Sequence, residues 1–388
     1  MTGFPASAGH EFDRRAFLRL GGVGVLAVGG LAVLAACSPV SPGPSSTPAV
    51  PATPTPAVPA TPTPGQYGSI AVQLSGIKTI EFAGEYLATT NGYYATEGFT
   101  SVDLIAGDDA TTVEAALTSG SALVGLSTPA LTAPAVAAGA PLKIIGSIYQ
   151  KNPFCFLSLK EHTPIAKVSD LKGKVVGVPP GLRAVFQGFC TAKGLTSGER
   201  GSGRFDVYVV PADDDITPLE HGRYDAQLSS LTRGPVRATF DGYLPVVLGF
   251  AASGLPFTAA TLTVTQDSID TQRDLLKAFL IAEIKGWTDA INSLSKSADL
   301  AVNEFGKGLK LDLFEQTSEA AAQNRLILTD DVNENGLLAM TRELVDASVA
   351  TLAAMGTTVA AGDLFDLSLL EELYLDHPEL VVPFQLPS

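Results

Sequence analysis

Cysteine is scarce: three residues, Cys37, Cys155 and Cys190, stand in a chain of 388, too few for a disulfide framework. Cys155 and Cys190 are flanked by aromatic or aliphatic residues and read as small buried hydrophobes. Positive charge is scarce too. Lys and Arg total 25 against 40 Asp and Glu, leaving a net charge of −15, and no basic cluster lies beyond the first twenty residues. Such a chain is a poor partner for nucleic acid. The four histidines, His10, His162, His221 and His377, show no metal-ligand spacing. No nucleophile–base set or paired-carboxylate motif stands out. The reading is therefore of a protein that is not an enzyme and needs no cofactor.

One long apolar run is present. It extends from Leu20 to Ala36 without a charge and follows the pair Arg14-Arg15. It is glycine-rich, ends at small residues and is short for a bilayer span of about 20 residues, so it reads as a cleavable twin-arginine export signal over 1–36. A retained signal anchor is the alternative. Leu34-Ala35-Ala36-Cys37 resembles the lipobox of bacterial lipoproteins, which implies an acylated Cys37 as the first mature residue and attachment to the membrane. From 37 to 66 the composition turns to Pro, Thr, Ser and Ala, with ten prolines between Pro39 and Pro64. Such a segment favours extended polyproline geometry and reads as a stalk.

The remainder alternates strand and helix. Strands are expected at 69–74, 100–106, 122–126, 142–149, 175–178, 205–210 and 226–229, with helices between them. Thr111 and Glu114 form a capping-box pattern, and Asp270 is placed to cap a long helix. In that helix Leu276, Leu280, Ile284, Trp287 and Ile291 recur at helical intervals as a core-facing stripe. The class is α/β, with mostly parallel sheets covered by helices.

Several stretches in order resemble a known family: Phe82-Ala83-Gly84-Glu85-Tyr86-Leu87-Ala88, Asn91-Gly92-Tyr93-Tyr94, Glu97-Gly98-Phe99, Tyr149-Gln150-Lys151-Asn152-Pro153-Phe154, Asp170-Leu171-Lys172-Gly173-Lys174 and His221-Gly222-Arg223-Tyr224-Asp225-Ala226. They resemble the ABC-transporter solute-binding proteins for sulfonates, nitrate and thiamine pyrimidines, the NMT1/THI5-like group. The resemblance implies a bilobal type II periplasmic-binding fold with a two-strand hinge. Lobe I would comprise 67–159 and 261–388 and lobe II 160–260, with crossovers near Ser158–Lys160 and Thr258–Thr261. It also implies a small-molecule ligand, a permease and an ATPase subunit as partners, and a monomeric, lipid-anchored protein on the extracytoplasmic face.

Mapped by the resemblance, lobe I would offer Phe82, Glu85, Tyr86, Asp108, Ser127, Thr128, Gln150 and Asn152 to the ligand. Lobe II would offer Pro180, Gly181, Leu182, Asp225 and Gln227. Ser127-Thr128-Pro129 and Pro180-Gly181-Leu182 lie between a strand and a helix, where exposed N–H groups bind anionic or carbonyl oxygens. Ordinary N-capping explains the hydroxyls equally well, and Asp225 has a capping or pairing alternative. The aromatic residues of 82–86 and 149–154, with the amides Gln150 and Asn152, suit a flat nitrogen heterocycle such as a thiamine-pyrimidine precursor or a flavin. A sulfonate or nitrate held by backbone N–H groups stays open, as does a surface interaction role without transport. Two departures from the family stand out. Leu74-Ser75-Gly76-Ile77 replaces an aromatic usual near the first strand, and Phe154-Cys155-Phe156 stands where the pyrimidine-synthesising branch carries a cysteine-rich iron motif.

Overall fold

The computed structural model describes residues 62–108 and 111–387. Arg14, Arg15, Cys37 and most of the proline-rich stretch lie outside the described residues. Among the described residues, no helix is long and apolar enough to cross a membrane.

Eleven strands occur in the described residues: β1 (Gly68–Gln73), β2 (Phe99–Ile105), β3 (Val124–Ser127), β4 (Leu142–Tyr149), β5 (Phe154–Leu159), β6 (Lys174–Val178), β7 (Ser197–Glu199), β8 (Val207–Pro211), β9 (Ala226–Ser230), β10 (Pro245–Gly249) and β11 (Ala259–Thr265). They form two sheets, ordered β2-β1-β3-β11-β4 and β10-β5-β9-β6-β8-β7. In the first, β1 runs parallel to β2 and β3, while β11 inserts antiparallel between β3 and β4. In the second, β6, β7, β8 and β9 are parallel, and β5 and β10 run antiparallel at one edge. Parallel strands buried on both faces need continuous apolar runs, which Val175-Val176-Gly177-Val178 supplies.

The chain crosses from the first sheet to the second at 150–153 and returns at 250–258. The first crossover lies ahead of the expected Ser158–Lys160, because Phe154–Leu159 pairs with β9 and β10 of the second sheet. By sheet membership lobe I therefore ends at Tyr149 rather than 159 and resumes at Ala259 rather than 261. The crossing strands are tied side to side. Asn152 donates its amide to Leu255 O at 2.8 Å, the Thr258 hydroxyl donates to Tyr149 O at 2.9 Å, and the Ser147 and Thr258 hydroxyls bond each other. Phe154, Phe156, Phe189, Phe250 and Phe257 pack their rings around the lobe II end of this crossing. That is the role of Phe154-Cys155-Phe156. Burial pushes the Cys155 thiol up to about 12 and Cys190 up to about 11, so both stay protonated and inert.

In lobe I the helix Ala83–Thr90 packs across Arg273–Asn292, and the stripe from Leu276 to Ile291 faces the core as its spacing predicts. Two caps differ from the sequence reading. Thr112, not Thr111, accepts from Ala115 N at 3.1 Å. Asp270 lies inside a short helix, Gln266–Thr271, capped by Thr265, and the long helix begins only after Gln272. Helices from Leu294 onward, including Leu313–Ile327 and Arg342–Ala354, continue around lobe I; Phe365 bridges Ile144 of β4, and the helix Ser368–Asp376 follows it.

Candidate functional site

In α/β sheets ligands bind beyond the carboxyl ends of parallel strands, where loops and helix starts expose unpaired backbone groups. Here those ends are Leu74–Gly76 after β1, Ala106–Asp108 after β2, Thr128 after β3, Pro179–Leu182 after β6, Ala212–Asp215 after β8 and Leu231–Arg233 after β9. The loops after β1 and β2 touch backbone to backbone: Gly107 N donates to Gly76 O at 2.9 Å, and a Cβ at Gly107 would lie 2.7 Å from Gly76 N. Only glycine permits that approach.

Near these ends the lobes touch through the helix after β9, whose Arg237 bonds Glu315 of lobe I at 3.1 Å. Glu81 follows β1 in the turn Ile80–Phe82, and Arg233 follows β9 as the residue before the helix Gly234–Phe240. Burial raises the Glu81 carboxyl above its ordinary range. Arg233 and the Ser75 hydroxyl draw it back, and Asp214 pushes it further up. Arg233 is itself bonded to Asp214 at 2.8 Å. Glu319, on the helix Leu313–Ile327, is pushed up to about 7, first by burial and then by Glu315 and Glu81; Arg233 and a hydrogen bond from Gln316 oppose the shift. Gln316 locks this helix to the Glu81 turn, accepting from Ile80 N and donating to Glu319, each at 2.8 Å.

Tyr149, the last residue of β4, closes the group. It is 3% exposed, and its hydroxyl has no hydrogen-bond partner among the described residues. Burial, followed by the charges of Glu81, Glu85 and Glu319, holds that phenol well above its ordinary range, so it stays a neutral donor. Thr128, 8% exposed, also leaves its hydroxyl without a partner there.

The residues picked from sequence divide into two sets. Thr128, Asp108, Pro180, Gly181 and Leu182 lie in the strand-end loops. Asp108 is exposed and accepts from Thr111 N at 2.9 Å. Ser127 is at the same end, but its hydroxyl is committed to Glu114 at 2.6 Å. The others serve the framework. Phe82, Glu85 and Tyr86 are fully buried in lobe I, with the Tyr86 ring stacked on Phe305 at 4.2 Å and its hydroxyl donating to Thr79 O. The helix Ala83–Thr90 buries every residue from Ala83 to Ala88, so this face points into the lobe. Gln150 donates to Ser147 O, and its N–H to Leu326 O, within the crossing segment that Asn152 also ties. Gln227 is buried between Tyr224 and Asp213 O. Asp225 stands at the amino end of β9, away from the ligand end, and accepts from Val175 N at 2.8 Å. Glu81, Tyr149, Arg233 and Glu319 were not among the residues picked from sequence. Glu81 and Tyr149 border the aromatic stretches that drew attention, whereas Arg233 and Glu319 carry no local signal.

A surface hollow of about 570 Å³, lined among others by Pro141, Lys143 and Gln266, lies at the opposite end of the first sheet, where no parallel strand delivers its carboxyl end. Among the described residues, no group of three His, Cys, Asp or Glu could hold a metal ion.

Against known proteins, the chain is 28% identical over 236 residues to the riboflavin-binding protein RibY of Chloroflexus aurantiacus, covering 60% of this chain and 65% of the relative, slightly under two thirds of its length. The ligand-binding component of an ABC-type import system from Staphylococcus aureus, solved with zinc bound, superposes with a TM-score of 0.59 at 13% identity, covering 79% of this chain and 99% of that one. A Candida albicans protein described as having the generic periplasmic-binding-protein fold superposes with a TM-score of 0.53 at 11% identity, over 82% and 98%. These likenesses carry the fold alone. The sequence pattern of the NMT1/THI5-like family matches residues 79–294, more than half of the chain and most of both sheets. With two sheets joined by two crossings and that pattern along it, the chain has the periplasmic-binding-protein fold and belongs to the NMT1/THI5-like family.

Proposed function

We propose that the protein is the solute-binding component of an ABC importer, not an enzyme, and that it captures a small aromatic nitrogen heterocycle outside the cytoplasmic membrane. The observation that carries this reading is the junction of the two lobes: the turn after β1 and the helix after β9 both bond to the helix Leu313–Ile327, Ile80 N donating to Gln316 at 2.8 Å and Arg237 to Glu315 at 3.1 Å. A ligand touching both lobes favours the closed arrangement, because only that arrangement makes both sets of contacts. The named relative binds riboflavin, which supports a heterocycle over an inorganic anion. The paired arginines and Leu34-Ala35-Ala36-Cys37 support export and an acyl anchor, so the permease and ATPase of the importer would be met at the extracytoplasmic face.

The test is a thermal-shift screen of pyrimidines, flavins, sulfonates and nitrate on the purified protein, with small-angle scattering on each hit. An aromatic heterocycle is expected to raise the melting temperature and compact the protein. A best hit among the sulfonates would replace the ligand and keep the transport role. Stabilisation without compaction would remove the cleft as the site. Replacing Cys37 by Ser is expected to move the protein from the membrane to the soluble fraction, and unchanged retention would defeat the anchor.

A further inference from the structure

Each crossing changes hands from one lobe to the other within one or two residues, and we propose that the lobes turn at these two points, Asn152 and Leu255, which are bonded to each other and each followed by a proline that limits the arc. The proposal rests on the two-lobed capture reading above and says where in the chain its motion is made.

Hydrogen bonds locate the first changeover. On the lobe I side, the last carbonyls of the helix Leu313–Ile327 hold the crossing: Gln150 N donates to Leu326 O and Lys151 Nζ to Arg325 O, each at 2.9 Å. On the lobe II side, Pro153 O already accepts from Leu231 N, just after β9, at 2.7 Å. Only Asn152 stands between them. The return is divided as sharply. Leu255 N donates to Phe250 O at 3.0 Å, and Phe250 N to Phe154 O at 2.9 Å, which keeps this stretch with lobe II. Pro256 O then accepts from the Thr351 hydroxyl at 2.5 Å, and Thr258 N donates to Ser348 at 3.2 Å, both on the lobe I helix Arg342–Ala354. Hinges of this kind confine the torsional change to a few residues at element ends.

The two points are one device. The buried Asn152 amide donates to Leu255 O at 2.8 Å, and its carbonyl oxygen accepts from Phe154 N at 3.0 Å. The crossings therefore cannot bend independently. At both points the next residue is proline, Pro153 and Pro256. Proline fixes its own φ and confines the residue before it to extended backbone. Most of the torsions at each changeover are thereby closed, and the arc is short.

The experiment measures inter-lobe distance on the full chain by pulsed electron resonance. Spin labels are placed by Ala95→Cys in lobe I and Arg204→Cys in lobe II, both exposed, with Cys37→Ser; the buried Cys155 and Cys190 stay unlabelled. Without ligand, Asn152→Ala is expected to broaden the distance distribution by removing the cross-tie. Pro256→Ala is expected to broaden it too. That proline is exposed and its carbonyl, which Thr351 bonds, is retained, so this variant decides the matter should Asn152→Ala fail to fold. Lys151→Met is expected to match the wild type, because Gln150 still holds the lobe I side. Distributions unchanged in both Asn152→Ala and Pro256→Ala would overturn the inference, as would equal broadening by Lys151→Met. Riboflavin, 4-aminopyrimidine, methanesulfonate and nitrate are then added as probes. If none shortens the wild-type distance while the unliganded variants broaden as expected, the capture reading falls and the pivot stands.

Discussion

Glu85 and Glu283 are neighbours in the core of lobe I, both fully buried, and the Tyr94 hydroxyl donates to Glu283. Burial raises both carboxyls, and each negative charge would raise its neighbour further, so the pair holds at least one proton at neutral pH. A carboxyl raised in the folded state contributes its full stability below its unfolded value, near 4.3. That contribution is lost as pH rises through the raised folded value, because the unfolded chain sheds its proton first. Glu283→Gln keeps the acceptor for Tyr94 and removes the charge. It is expected to stabilise the protein by on the order of 2 kcal/mol at pH 8 and to change little at pH 4. Denaturant melts at the two pH values check this, and equal effects at both would exclude the proton linkage. Glu85 also marks a limit of sequence reading. A lone Glu between Gly84 and Tyr86 looks like an exposed ligand contact, yet Ala83 to Ala88 are all buried, and no local pattern announces a helix turn without a polar face. Glu319 and Arg233 were invisible for a different reason. They reach the site through tertiary packing of segments far apart in the chain.

The contact between the helices Ala83–Thr90 and Arg273–Asn292 depends on two glycines. A Cβ on Gly286 would collide with the carbonyl oxygen of Gly84, and one on Gly84 would collide with the indole of Trp287. Backbone cannot yield as a flexible side chain can, so Gly286→Ala is expected to cost about 1–3 kcal/mol or more by forcing the helices apart. Chemical denaturation should show a lower midpoint with an unchanged slope, and a wild-type midpoint would mean the helices slide without cost. The stripe on the longer helix was legible because its period is that of an α-helix. The parallel strands other than β7 were legible from the alternation of strand and helix, and so was β4, which spans the expected 142–149. The antiparallel edge made by β5 and β10 was not. Phe154–Leu159 is an apolar run that fits either lobe, and its assignment depends on partners at 226–230 and 245–249 that no local signal links to it. Asp225 follows the same logic. It stands beside a strand as a ligand residue would, but strand direction puts it at the end where it caps Val175.

Beyond the crossing segments, the lobes are held by a second contact: Arg237 on the lobe II helix Gly234–Phe240 bonds Glu315 on the lobe I helix Leu313–Ile327 at 3.1 Å. The Phe240 and Phe314 rings lie 6.2 Å apart beside it, and Arg237 sits over the Phe240 ring at 5.4 Å. Phe314 is still 70% exposed, and separating the lobes would add to the apolar surface in water. Such a clasp would weight the balance toward closure before any ligand arrives. A ligand that needs the closed form binds with an apparent Kd raised by the inverse of the closed fraction. Arg237 is 43% exposed and also paired with Asp241, so its bond to Glu315 is weak on its own, about 0.2–1 kcal/mol. The double variant Arg237→Ala with Phe314→Ala removes both parts of the clasp and leaves the strand-end loops untouched. Its unliganded radius of gyration is expected to increase, and its Kd for the best probe to rise by about 3- to 10-fold, with the liganded radius restored to that of the wild type. A weaker Kd with no change in the unliganded radius would mean that these side chains act on the ligand directly. A larger radius with an unchanged Kd would mean that closure contributes nothing to capture.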